Sequence, residues 1–189
     1  MHRTLLAVLA SGLLVAALTG CTMPGSASSG QIMAPVSSAN ELGPQDGYIP
    51  TGDTVKLTDR VPAITRLVNP LKDALIRAAA SAAERHVTFT FTNGWRSERY
   101  QQFLFDQAVI EYGSEEEASR WVKRGNQSKH VRGEAVDIAT ADAMDWLTRF
   151  GAEYGLCQIY SNEIWHYEYV ADAASSETCP PAIADASAG

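Results

Sequence analysis

Cysteine is scarce in this chain, and clustered positive charge is missing. Three cysteines in 189 residues exclude a small domain built on disulfides alone. Fifteen Lys and Arg against 22 Asp and Glu give a formal charge of −7 and a pI near 5.0. Nucleic-acid phosphates are bound by clustered Lys and Arg, so that class of partner is excluded. No internal repeat is visible, which removes solenoid and propeller architectures. What the chain does have is ordinary globular composition. Hydrophobic residues make up 46% and charged residues 20%, which excludes wholesale disorder, and the length suits one domain.

Both ends differ from the middle. Met1-His2-Arg3 is followed by an apolar run from Leu5 to Leu18, too short to span a bilayer comfortably and suited to the core of a secretory signal. It closes with Leu18-Thr19-Gly20-Cys21, which resembles a bacterial lipobox, the cysteine becoming the lipidated first residue of the mature chain. The alternatives are an ordinary signal cleaved nearby and an N-terminal membrane anchor. Residues 1–20 carry one Arg and no acid, so their removal leaves 14 basic against 22 acidic residues and a charge of −8. Residues 21–46 are rich in Ser, Gly, Pro and Ala and are expected as a flexible linker. Residues 181–189 are expected as a disordered tail, which leaves 47–180 as the folded domain. The expectation is an exported monomer, held at the outer face of the bacterial cytoplasmic membrane through its lipid alone.

With Cys21 set aside, Cys157 and Cys179 remain. In an exported protein such a pair forms a disulfide, and closing this loop stabilises by roughly 3 kcal/mol in the chain-entropy model. The alternative is two unpaired thiols.

The core pattern is α+β. Asn69-Pro70 opens a helix with apolar residues at 71, 74, 75, 78, 79 and 82. Val87 to Thr92 alternates apolar residues with Thr, as a half-buried strand does, and Asn93-Gly94 turns the chain. Ser97 to Tyr112 reads as a second helix stopped by Gly113, and Ser114 with Glu117 as a capping box opening a short helix through Trp121. A strand is expected over 135–139 and a helix from Asp142 to Tyr154. Two antiparallel strands are expected over 156–160 and 164–170. Helices first and then strands mixed with helices define the class.

Chemistry concentrates in two short stretches. One runs Ser128-Lys129-His130-Val131-Arg132-Gly133-Glu134-Ala135-Val136-Asp137, with Gly133 letting a loop ligand and a strand ligand converge. The other is Glu163-Ile164-Trp165-His166. Two imidazoles and one carboxylate suit Zn²⁺ with an open fourth position, and a further carboxylate nearby takes a proton from water. Ordinary structural readings stand beside this one. Asp137 also fits a strand-end carboxylate, Glu163 the start of a hairpin strand, and Trp165 a core residue. His86, at a helix end, is left out of the site.

The combination Ser128-x-His130-x-x-Gly133-x-Ala135-x-Asp137, then Glu163-x-Trp165-His166, resembles the zinc D-alanyl-D-alanine carboxypeptidase family of VanY type, related to the lysostaphin and hedgehog folds. Gly94-Trp95-Arg96-Ser97-x-x-x-Gln101 is similar to that family's upstream element, with Trp95 in place of Tyr. The resemblance implies a small antiparallel sheet carrying the zinc site, flanked by helices. It implies His130, Asp137 and His166 as Zn²⁺ ligands, Glu163 as general base and Arg96 as the cation at the developing oxyanion. It also implies Ser128, Gln101 and Trp165 near the substrate. The implied activity is release of terminal D-Ala from peptidoglycan stem peptides ending in D-Ala-D-Ala. A dipeptidase, an L,D-carboxypeptidase, an endopeptidase or an inactive wall-binding lipoprotein are the alternatives. Glu168 stands where many relatives have Arg, a reversed charge that bears on substrate preference.

Overall fold

A computed structural model of the chain describes residues 37–189. The expected signal over 1–20, the lipidation site Cys21 and most of the linker lie outside the described residues. Among the described residues no helix is long and apolar enough to cross a membrane.

The elements run α1 (Pro62–Thr65), α2 (Asn69–Ala83), β1 (Phe91–Asn93), α3 (Glu98–Tyr112), α4 (Glu115–Ser119), β2 (Ala135–Ile138), α5 (Ala141–Phe150), β3 (Leu156–Gln158), β4 (His166–Tyr169) and α6 (Ala171–Ser176). The strands form one antiparallel sheet in the order β1-β2-β4-β3. Helices flank it, so the architecture is α+β as the pattern indicated.

The sheet separates core from site by its period of two. Val136 and Ile138 of β2, Tyr167 of β4, Leu156 of β3 and Phe91 of β1 join the main core. Leu71, Ala74, Leu75, Ala78 and Ala82 of α2 and Ala143, Trp146 and Leu147 of α5 complete it. Asp137 of β2 and His166 of β4 occupy the other face, paired directly across the two strands. A slip of one residue would bury both polar groups in the hydrophobic core, so the apolar pattern itself fixes the register that makes the site.

Helix starts follow local chemistry. The Ser97 hydroxyl accepts from the Tyr100 amide and Gly113 closes α3 with φ 82°, while the Ser114 hydroxyl accepts from the Glu117 amide to start α4. Several elements are shorter than expected: the strands over 156–160 and 164–170 are Leu156–Gln158 and His166–Tyr169, and the helix through Trp121 ends at Ser119. Of residues 87–92 only Phe91 and Thr92 enter the sheet, where the pairing with β2 shifts register between Phe91 and Asn93. The helix expected over 142–154 becomes α5 followed by a 3-10 turn over Gly151–Tyr154.

The folded unit is wider than the 47–180 expected. Asp46 is fully buried and accepts hydrogen bonds from Ser97 Oγ at 2.8 Å and from Arg99 Nε at 2.7 Å. The tail 181–189 is packed rather than disordered. Ile183 pairs with Tyr160, its amide donating to the Ile159 carbonyl at 2.9 Å, and Asp185 accepts from Arg120 Nε at 3.0 Å. A few specific polar pairs hold both segments, and composition does not register such pairs. Cys157 and Cys179 form a disulfide with Cα atoms 5.6 Å apart, tying the tail to β3.

Candidate metal centre and active site

The site is assembled from the middle of the sheet and two loops. β2 and β4 deliver Asp137 and His166 side by side, and the loop before β2 delivers His130. That loop is fixed by close backbone packing. Gly133 takes φ 72°, and a Cβ there would sit 2.3 Å from the Arg66 carbonyl oxygen. Trp95 Nε1 donates to the Val131 carbonyl at 3.1 Å, and the Arg96 amide donates to the His130 carbonyl at 3.2 Å.

His130 Nε2, His166 Nδ1 and Asp137 Oδ1 converge. The separations are 3.2 Å between the two nitrogens, 3.3 Å from His130 Nε2 to Asp137 Oδ1 and 3.4 Å from His166 Nδ1 to the same oxygen. Metal–ligand bonds of 2.0–2.2 Å in tetrahedral arrangement put ligand atoms about 3.3 Å apart, so these spacings match the edges of a zinc tetrahedron. The outer nitrogens agree. His130 Nδ1 lies 2.8 Å from the Gly94 carbonyl and His166 Nε2 lies 3.1 Å from Glu168 Oε1. Each acceptor keeps the proton on the outer nitrogen and turns a lone pair to the centre. Asp137 Oδ1 is buried without a hydrogen-bond partner. Three lone pairs facing one another in a buried site require a positive centre between them. The donor set, two imidazoles and a carboxylate with no fourth protein ligand in the cluster, fits Zn²⁺ with an open position.

Electrostatics point the same way. Burial alone would raise the Asp137 carboxyl, but the Arg96 guanidinium and the two imidazoles beside it hold it well below the usual carboxylate range. Burial also pushes His130 down, which favours the neutral ligand form. For His166 burial is outweighed by Asp137 and Glu168, which carry it up to about 9. Without a metal, therefore, a proton on His166 is the positive centre. Its contacts to Asp137 are too long for well-formed hydrogen bonds, so we read this as attraction between charges. Burial pushes Glu163 up to about 7, opposed by His166 and reinforced by the charge of Asp137. Glu163 Oε2 is 3.7 Å from His166 Nδ1, at the rim of the cluster.

A cavity of about 390 Å³ opens over the cluster and is lined by all four of these residues, with Arg96, Gln101, Ser128 and Trp165 in its walls. All eight residues expected to ligate, catalyse or meet substrate thus line one cleft. Their bonding differs from one to the next. Arg96 is buried and committed on three nitrogens: Nη2 to Asp137 Oδ2 at 2.6 Å, Nη1 to Gln101 Oε1 at 3.1 Å and Nε to Asn93 Oδ1 at 3.3 Å. Gln101 spends its amide on the Lys123 carbonyl at 2.7 Å, so it braces Arg96. Ser128 Oγ accepts from the His130 amide at 3.3 Å. Trp165 stands half-exposed at the mouth. Glu168 does not line the cavity; it contacts His166, which does. Sequence reasoning missed its place behind His166, although two residues apart on a strand means one face. Tyr160, whose ring lies 5.0 Å from that of His166, was missed as well.

An open N₂O donor set with an acid at its rim, at the floor of a cleft, is the arrangement of a hydrolytic metal centre. Residues 65–172, more than half of the chain, match the model of the VanY D-alanyl-D-alanine carboxypeptidase family, and the chain belongs to that family. A D-alanyl-D-alanine carboxypeptidase of Enterococcus faecalis (strain ATCC 700802 / V583) is 31% identical over 111 residues, which is 45% of this chain and 41% of that protein. The match therefore spans about two-fifths of that relative's length. Among solved structures, a mutant of the vancomycin-resistance D,D-pentapeptidase VanY in complex with Zn(II) superposes with a TM-score of 0.55 at 22% identity, over 66% of this chain and 82% of that one. VanYB in complex with D-alanine-D-alanine gives 0.55 at 24% identity, over 68% and 85%. These two likenesses establish the fold.

Proposed function

We propose that this protein is a zinc-dependent peptidase of the bacterial envelope that removes the terminal D-Ala from peptidoglycan stem peptides ending in D-Ala-D-Ala. The observation that carries the proposal is the trio His130 Nε2, His166 Nδ1 and Asp137 Oδ1 at tetrahedral spacing, with Glu163 beside it in an open cleft. Family membership and the dipeptide held by VanYB support the substrate class. The disulfide suits an exported protein, and with the lipobox-like Leu18-Thr19-Gly20-Cys21 it supports a domain tethered through Cys21.

His130, Asp137 and His166 would hold the ion. Zn²⁺ bound there supplies a Lewis acid for the scissile carbonyl and lowers the pKa of water. Glu163 takes the proton from the attacking water and hands it to the leaving amine. Its raised pKa suits both halves of that task near neutral pH. Arg96 holds Asp137 in register and sets a positive charge in the cavity wall, where negative charge builds up on the carbonyl oxygen. Ser128 and Gln101 steady the loop and the guanidinium, and Trp165 offers an apolar wall to the peptide.

The test uses the domain without residues 1–21, incubated with a pentapeptide ending in D-Ala-D-Ala, with zinc and with chelator, and weighed by mass spectrometry. Chelator-sensitive loss of one alanine is expected. Loss of a dipeptide or an internal cut moves the scissile bond. No cleavage of this peptide or of digested wall overturns the enzymatic reading.

A further inference from the structure

We infer that Glu168 is a positioning residue of the metal centre, one that fixes which nitrogen of His166 faces the ion and strengthens that nitrogen as a ligand. This rests on the zinc reading of the cluster. A histidine has two nitrogens that can exchange the proton, and only one orientation is useful here. The two histidines solve this in opposite senses. His130 turns Nε2 inward because its Nδ1 is met by the backbone carbonyl of Gly94 at 2.8 Å. His166 turns Nδ1 inward because its Nε2 is met by Glu168 Oε1 at 3.1 Å. A carbonyl is a neutral dipole, whereas a carboxylate carries full charge. The hydrogen bond on the His166 side is therefore the stronger one, and it increases the electron density available at Nδ1.

Apart from His166, Glu168 faces the charge of Lys129. It is buried in the centre of the sheet with only 7% of its surface exposed, and it does not reach the cavity. Burying a carboxylate in a sheet is costly unless it is paired. Its second oxygen lies 3.6 Å from Lys129 Nζ, and the same amino group is 2.9 Å from Glu134 Oε2 at the surface. Lys129 and His130 are neighbours on one loop, so a line runs from His166 through Glu168 and Lys129 back to the loop that carries the other histidine. The residue of β2 opposite Glu168 is the small Ala135.

Zinc affinity, measured by competition with a chromophoric chelator, tests this without reference to turnover. Glu168→Ala should bind zinc about 10- to 100-fold more weakly than the parent. Glu168→Gln keeps an oxygen of the same shape without the charge and should fall between the two. Cobalt-loaded protein gives a second reading, since the visible bands of Co(II) change when a ligand rotates; Glu168→Ala should shift them and Glu168→Gln should shift them less. Circular dichroism of each metal-free variant separates loss of fold from loss of affinity. Equal zinc affinity and unchanged cobalt bands in a folded Glu168→Ala protein, even with a lowered Tm, would make Glu168 purely structural and overturn the inference. A parent protein that takes up no zinc overturns the metal reading itself and this inference with it.

Discussion

Arg96 Nη2 lies 2.6 Å from Asp137 Oδ2, and this contact determines which oxygen of Asp137 faces the two histidines. With Oδ2 held, Oδ1 is left as the free donor, buried and unpaired. The guanidinium is in turn fixed by Gln101 and Asn93, so strand β1 and helix α3 act on the metal centre through one side chain. Arg96→Ala should lower zinc affinity by about 10- to 100-fold, the range for a partner that orients a ligand. Excess zinc should then restore much of the activity. If kcat stays about 10²- to 10³-fold low in a fully loaded protein, the guanidinium acts on the oxyanion directly.

Glu163 gives a prediction with two readouts. Glu163→Gln should keep the metal and lose turnover, because an amide takes no proton from water. The same substitution should stabilise the metal-free protein at alkaline pH. Burial raises the Glu163 carboxyl from 4.5 to about 7, so the folded state holds a proton that the unfolded state has released between those values. The contribution to stability is complete below the unfolded value and is lost as pH rises through 7. Above pH 8 the parent carries a charge in a site that disfavours it, a cost of at most about 3 kcal/mol. Chelated Glu163→Gln should therefore melt higher than the parent at pH 8, with the difference shrinking towards pH 4. A difference that does not change with pH would mean the carboxyl is not displaced.

The parts legible in the sequence were those with a periodic or a chemical signature. Apolar residues at helical spacing marked α2, the Ser97 cap and Gly113 bracketed α3, and the two motifs marked His130, Asp137, Glu163 and His166. Register brought Asp137 and His166 together, and it followed from the alternation of Val136 and Ile138 with Asp137, while loops carry His130 and Glu163 to them. What stayed hidden depends on contacts distant in sequence. Nothing near Arg96 says that its partner is Asp137, 41 residues on. Nothing in a small-residue tail says that Asp185 meets Arg120, 65 residues back. Glu168 was visible as an oddity, but its partner is set by which face of β4 it shares with His166.

The Cys157–Cys179 bond closes a loop of 22 residues between β3 and the tail. Replacing both cysteines with alanine should cost about 3 kcal/mol of unfolding free energy in the chain-entropy model. Denaturant titration of the double variant against the oxidised parent measures it. A reduced parent that unfolds at the same denaturant concentration as the oxidised one would show that the bond contributes nothing.

The tail held by that disulfide should set the width of the cleft. Residues 183–189 connect its two walls. Ile183 bonds to Ile159 and Ser161 in the loop that leads to Glu163, while the Ala186 amide donates to the Arg120 carbonyl and Lys123 donates to the Gly189 carbonyl. Ala186 is buried and lines the cavity. This segment lies outside the stretch, residues 65–172, that matches the family. No hydrogen bond among the described residues joins it to His130, Asp137 or His166. Ending the chain after Pro181 should therefore leave zinc affinity as it was and raise KM for the pentapeptide by roughly tenfold, equivalent to about 1.4 kcal/mol of lost contact. Asp185→Ala, which releases Arg120 but keeps the chain whole, should raise KM in the same direction by less. If kcat falls instead and KM holds, the segment acts through the Lys123 carbonyl, Gln101 and Arg96 on Asp137, and its role is to keep the metal ligand in place rather than to shape the cleft.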